Sequence, residues 1–323
     1  MNGSKRRGDA PVDWSSGPTG LHKRTWWTAV RRLGVALWDD TVTDRAAALT
    51  YYSVLSIFPG LIMLTAFVGL LRPSATSPLI GAIRELGPGR GTELLVDVVN
   101  ELQGTQQLAG PLAFVGLAVA MWIASGYVGA FVRAANGIYE VQEGRPVWKT
   151  VPMRLGVTAA LVVLIGLCAV VGLATSAVVH RLGGGSFVES AWTLAKWPVV
   201  AVLMGAVVSL LYWVAPNARQ PGFRWLTPGS VLAVVVWIVA SAGFSVYVAH
   251  FGSYNKVYGS LAGAVIFLVW LWILNVAALL GAGLNAELAR GRLVEDGAEA
   301  EADEPILPPR DTRAMTSPPQ YCG

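Results

Sequence analysis

The apolar residues of this chain fall in continuous blocks rather than in an alternating or strictly amphipathic pattern. Six blocks stand out, at about 49–71, 109–132, 155–179, 197–215, 228–249 and 261–286, and none of them holds a Lys, Arg, Asp, Glu or His. A hydrocarbon layer needs about 20 apolar residues in a row to be crossed by a helix, and each block meets that length or comes close to it. Leu, Ile, Phe and Val each contribute about −0.3 to −0.6 kcal/mol to insertion at mid-membrane, against about +2.5 to +3.5 for one charge. The pattern therefore predicts an all-α membrane protein, a bundle of six transmembrane helices within a domain spanning 24–290. Pro59 and Gly60 interrupt the first block and predict a kink there.

Between the blocks the polar pattern adds detail. Trp26, Val30, Leu33 and Leu37 repeat at helical spacing with Arg24, Arg31 and Arg32 between them, which predicts an amphipathic N-terminal helix. It would either lie in the inner membrane interface, with Trp27 and Trp38 at headgroup depth, or pack on the bundle. In the long loop 72–108, Leu95, Val98, Val99 and Leu102 form one stripe and Glu93, Asp97 and Glu101 another. Short helices are expected there, serving as an outer cap or filling a gap. Residues 1–23 and 291–323 are rich in Pro, Gly and charge, the second strongly acidic, and are expected to be disordered tails. No apolar run follows Lys5, Arg6 and Arg7 closely enough for a cleaved leader, so the first span is expected to be retained.

Composition agrees with the pattern: 54% of the 323 residues are hydrophobic and 14% charged, against about 25% charged in ordinary soluble domains. The net charge of +4 does not point to nucleic acid, because the basic residues cluster by side of the membrane. Of the 24 Lys and Arg residues, 18 fall on the side of the amino end, the second and fourth loops and the carboxyl end, and 6 on the other. Arg133, Arg145, Lys149 and Arg154 crowd one short loop. The positive-inside rule then places both termini in the cytoplasm. Cys168 and Cys322 lie in different settings, so no disulfide framework is expected.

Candidate chemistry is sparse. His22, His180 and His250 sit on separate segments without metal-ligand spacing, and Gly183, Gly184 and Gly185 lack the Lys and Ser/Thr of a phosphate loop. No catalytic, metal or cofactor site is expected. Buried uncharged polarity is the remaining signal, and Tyr51, Tyr52, Ser53, Ser125 and Asn275 are the candidates for lining a cavity, with Asn275 better suited to an interhelical hydrogen bond than to substrate contact. Tyr254, Asn255, Tyr258 and Gly259 are expected to build a tight outer hairpin between the last two spans. Gly259 and Gly263, four apart, suit close helix packing.

Several runs together resemble the YihY/BrkB family of bacterial membrane proteins, sometimes labelled ribonuclease BN. They are Asp44 through Ser53 to Phe58 and Pro59, Trp122 to Ser125 with Asn136 to Tyr139, Ala215 to Asn217, Pro228 and Gly229 through Trp237 and Phe244 to Tyr254 through Ser260, then Trp270 and Leu280 to Glu287. The resemblance covers about 26–290 and implies a six-helix inner-membrane protein of unassigned activity with a role in the envelope. The ribonuclease label would require clustered metal-binding histidines, which the sequence does not offer. A lipid or another hydrophobic substrate is the leading expectation for what it handles, and a noncatalytic scaffold for envelope partners the alternative.

Overall fold

The computed structural model describes residues 21–36, 40–71, 80, 111–173, 186–220, 226–250, 255–295 and 307–315. These form seven helices: α1 (Lys23–Ala36), α2 (Asp40–Leu71), α3 (Pro111–Ile138), α4 (Val147–Leu173), α5 (Ser186–Val214), α6 (Pro228–His250) and α7 (Asn255–Glu295). Five helical stretches are long and apolar enough to cross a membrane among the described residues: Val115–Ile138, Val147–Gly172, Ser190–Val214, Pro228–Tyr247 and Gly263–Glu295. The expected span 49–71 falls within α2, which continues as helix through Pro59. The expected helices of loop 72–108 lie outside the described residues, apart from a single helical residue at 80.

Packing explains why these helices hold together. α7 lies along α6 and α2, α2 along α3 and α4, and α5 along α4 and α6. The core is built from small residues interleaved with a few large ones: Ala46, Leu49, Phe131, Val208, Leu211, Tyr212, Ala278, Leu279 and Ala282 are all buried. Small side chains let helix backbones approach, which is where membrane helices gain their van der Waals contact. The closest approach is between Gly229 of α6 and Gly281 of α7, where a methyl group on either would run into the other's carbonyl oxygen. Gly263, one member of the pair expected to mediate close packing, has open space around it instead. The tight crossing lies 18 residues further along α7, at Gly281.

The outer surface is apolar. Leu55, Phe58, Trp122, Val239, Val265 and Phe267 are among the large apolar side chains left exposed. Water would not tolerate so continuous an apolar surface, whereas lipid tails would. α1 turns Ala29, Trp26 and Leu33 onto Leu284 and Leu288 of α7, so it packs on the bundle, with Trp27, Val30 and Val35 left exposed.

Helix boundaries differ from the apolar blocks. α3 runs on to Ile138 and α4 starts at Val147, so Arg133 and Arg154, expected in a loop, are inside helices. Hydrophobicity marks where the hydrocarbon ends; backbone hydrogen bonding continues past it until a turn intervenes. That turn is at Glu140, which adopts a left-handed φ of 55° and ends α3. The expected tail 291–323 also needs correction: α7 extends to Glu295, and 307–315 dock onto the end of the bundle with Leu307 buried. Composition suggested a solvated tail because the acidic run precedes this segment, while the docking relies on backbone and on Asn217, which composition does not register.

Candidate functional site

Polar residues of α2, α3 and α7 form a closed group around Asn275. Asn275 of α7 donates to Oγ1 of Thr50 and Oγ of Ser53 on α2, both at 3.3 Å, and to the Leu271 carbonyl at 3.0 Å. Its Oδ1 accepts from the Tyr127 hydroxyl of α3 at 3.1 Å. Thr50 and Ser53 bond back to the carbonyls of Ala46 and Leu49. Three helices are thereby tied at one level, with every hydrogen-bonding atom of Asn275 engaged. An amide so satisfied adds hold rather than an open valence for a ligand.

A second group forms where α2, α3 and α4 meet at the lateral surface of the bundle. Ser125, Gly129, Arg133 and Gly137 are spaced four apart and share one stripe of α3. Arg154 of α4 reaches over that stripe, its Nε and Nη2 donating to the Ser125 carbonyl at 3.2 and 3.0 Å and Nη2 to Ser125 Oγ at 3.3 Å. The guanidinium fits because Gly129 lacks a side chain; a methyl group there would lie 2.7 Å from its central carbon. Arg45 of α2 lies over Gly137 in the same way. Arg133 itself is exposed and stacks on the ring of Tyr52, 5.5 Å from the centroid.

The end of the bundle where α3 turns into α4 is closed by a third group. Arg145 is buried, pairs with Glu143 through Nε and Nη2 at 2.7 and 2.8 Å, and donates to the carbonyls of Val214 and Ala215 at 3.0 and 2.7 Å. It thus caps the carboxyl end of α5, where unpaired carbonyls favour a cation. Asn136 donates to Glu143 at 2.9 Å and accepts from the Asn217 amide at 2.7 Å. Asn217 in turn holds the 307–315 segment: its Nδ2 donates to the Asp311 carbonyl at 2.7 Å and its Oδ1 accepts from the Asp311 amide at 3.0 Å. Burial pushes the Glu143 carboxyl up, but the hydrogen bonds and charge of Arg145 with the Asn136 bond outweigh it and hold the group below its ordinary range. The Lys149 ammonium and the Arg313 amide likewise hold the Asp311 carboxyl low.

The five cavity candidates therefore separate. Ser53 and Asn275 meet in the closed group, Tyr52 and Ser125 belong to the arginine stripe, and Tyr51 is 62% exposed, touching only the edge of Tyr52 among them. Of the hairpin candidates, Tyr254 lies outside the described residues, while Asn255, Tyr258 and Gly259 are in the first turns of α7 rather than in a loop. Arg45, Arg133 and Arg154 went unnoticed as site residues. Their signal was the four-residue spacing of Ser125, Gly129, Arg133 and Gly137, with glycines where guanidinium groups need room. Among the described residues no three His, Cys, Asp or Glu side chains converge on a metal-sized site.

Apolar helices of membrane-spanning length with an apolar outer surface define a multi-pass membrane protein. The profile of the family described as virulence factor BrkB matches residues 34–305, and the chain belongs to that family. It is 29% identical to the ribonuclease-like protein YfkH of Bacillus subtilis (strain 168), over 78% of this chain and 92% of the relative. It is 25% identical to a UPF0761 membrane protein of Pseudoalteromonas translucida, over 82% of this chain and 87% of the relative. A UPF0761 membrane protein of Ralstonia nicotianae is 28% identical over 80% of this chain and 57% of its own length. No solved structure matches.

Several runs that carried the resemblance now have a physical role. Gly229 allows the α6–α7 crossing, and its amide donates to Asn285 Oδ1 at 2.9 Å. Thr227 and Ser230 exchange hydrogen bonds at the start of α6, ahead of and behind Pro228, which suits a first helical turn. Asn136 and Asn217 form the knot described above.

Proposed function

We propose that the chain is a six-span protein of the bacterial cytoplasmic membrane, with both ends in the cytoplasm, that binds and moves lipid or another hydrophobic substrate along its lateral face. The observation that carries this reading is the distribution of polar groups. Those around Asn275 satisfy one another, whereas Tyr52 and the exposed Arg133 meet on helices that also expose Tyr51, Leu55 and Trp122. A water-soluble substrate would need open polar groups along a central path; a lipid approaches from the side. The 18 basic residues on one side of the six apolar blocks support the cytoplasmic placement of both ends, and of the α3–α4 turn with them.

The test is lipid movement between leaflets of vesicles reconstituted with the full chain. Movement above that of protein-free vesicles is expected, reduced in a Tyr52→Ala variant. Movement equal to that of protein-free vesicles would end the proposal. A noncatalytic scaffold for envelope partners gains less support, because residues 307–315 are engaged with the chain's own bundle rather than presented. The ribonuclease-like name of the Bacillus relative finds no metal-binding cluster to rest on among the described residues.

A further inference from the structure

Three guanidinium groups, from three different helices, lie along one stripe of α3. Arg154 sits over Gly129, Arg133 projects one turn further on, and Arg45 sits over Gly137. At 1.5 Å per residue, Gly129 and Gly137 are about 12 Å apart along the helix. None of the three forms an ion pair with a described carboxylate, although elsewhere in the structure Arg32, Arg145 and Arg290 all do. Arg154 spends Nε and Nη2 on Ser125, leaving Nη1 without a partner among the described residues. Arg133 touches only a ring face, which leaves its donors free among the described residues.

Cations gathered without counter-ions on an otherwise apolar surface repel one another and are costly to keep beside hydrocarbon. The glycines at 129 and 137 make room for this gathering rather than preventing it. The planar fork of a guanidinium matches a phosphate with two parallel hydrogen bonds, and several such forks around one site recognise phosphate in particular. The exposed neighbours on the same helices, Tyr51 and Leu55 of α2 and Trp122 of α3, are apolar or amphipathic and suit acyl chains.

We infer that Arg45, Arg133 and Arg154, with Tyr52, form a lateral binding site for the phosphate headgroup of an anionic membrane lipid. The inference rests on the lipid-handling reading above and names the headgroup that it would engage. Arg154 is preset by Ser125, Arg133 by the Tyr52 ring, and the lipid phosphate supplies the missing negative charge. In the proposed orientation the site faces the inner leaflet, one to three helical turns in from the α3–α4 turn.

The experiment is native mass spectrometry of the purified full chain in detergent, titrated with phosphatidylglycerol or phosphatidylcholine of equal chain length. Tighter binding of phosphatidylglycerol by about tenfold, which is about 1.4 kcal/mol, is expected. Arg133→Gln should remove most of that preference while the melting temperature stays unchanged, since Arg133 is exposed. Arg45→Gln should lower it as an independent second variant, and Lys196→Gln, on α5 and away from the stripe, should keep it. Equal affinity for the two lipids, or full preference retained in both Arg133→Gln and Arg45→Gln, would overturn the inference. So would displacement of phosphatidylglycerol by inorganic phosphate at equal concentration, which would mark a site for the free ion. Selective binding without lipid movement in vesicles would leave this site standing and remove the transport reading; movement without headgroup preference would do the reverse.

Discussion

Asn275 and Arg145 are both polar residues in apolar surroundings, yet their removal should have unequal effects. Asn275→Ala deletes four hydrogen bonds; Thr50 and Ser53 still bond back to their own helix, while the Tyr127 hydroxyl loses the partner it has among the described residues. Interhelical hydrogen bonds in membranes average about 0.6 kcal/mol and a stranded buried hydroxyl costs about 1 kcal/mol more, so a loss of about 1–2 kcal/mol is expected in thermal unfolding of the detergent-solubilised protein. Arg145→Met removes the buried cation facing Glu143 and uncovers the carbonyls of Val214 and Ala215. Breaking a buried pair from one side costs about 3 kcal/mol or more, and the double variant Arg145→Met with Glu143→Gln should recover part of it. The sequence made Asn275 conspicuous because it is polar within an apolar block. Arg145 was legible only as a topology signal, since nothing local in sequence tells a capping arginine from one facing solvent.

At the scale of elements, the apolar blocks located the helices but not their ends or their mode of contact. The α6–α7 crossing depends on two glycines 52 positions apart, Gly229 and Gly281, and no local pattern joins them. Gly281→Ala would press a methyl group against Gly229 and the Tyr212 hydroxyl, whose own bond to the Ala278 carbonyl is 2.5 Å long. A destabilisation of about 1–3 kcal/mol is expected, whereas Gly263→Ala, with open space around it, should change stability by less than about 0.5 kcal/mol. Comparison of the two melting temperatures checks this, and equal shifts would contradict the crossing. The charged ends of α3 and α4 were missed for a related reason: blocks measure hydrocarbon thickness, and these helices outlast it by a turn or two.

Taken as a whole molecule, the chain fastens residues 307–315 to its α3–α4 turn and to the segment after α5. Gly144 accepts this because the Asp311 carbonyl occupies the place where a side chain would stand. The Lys149–Asp311 pair, 2.6 Å apart, makes the docking sensitive to acid. Asp311 titrates below its ordinary range when docked, so its contribution is complete above about pH 4 and is lost as pH falls through the lowered value. Amide protection at Arg310 and Asp311, corrected for intrinsic exchange, should fall across that interval, and Lys149→Met should weaken it already at neutral pH. A cytoplasmic reporter fused after Gly323 should be active, in keeping with the proposed orientation; an active periplasmic reporter there would reverse it.

The two hydrogen bonds between Asn217 and Asp311 join residues 94 positions apart, with α6 and α7 made in between. Biosynthesis therefore delivers one half of this clasp two helices before the other, and Asn217 must wait for its partner. A polypeptide cut short after α7 would contain every described helix and still lack the piece that seals this end. Quality control that senses an unsealed end could thus tell a finished copy from an unfinished one after all the helices have been inserted.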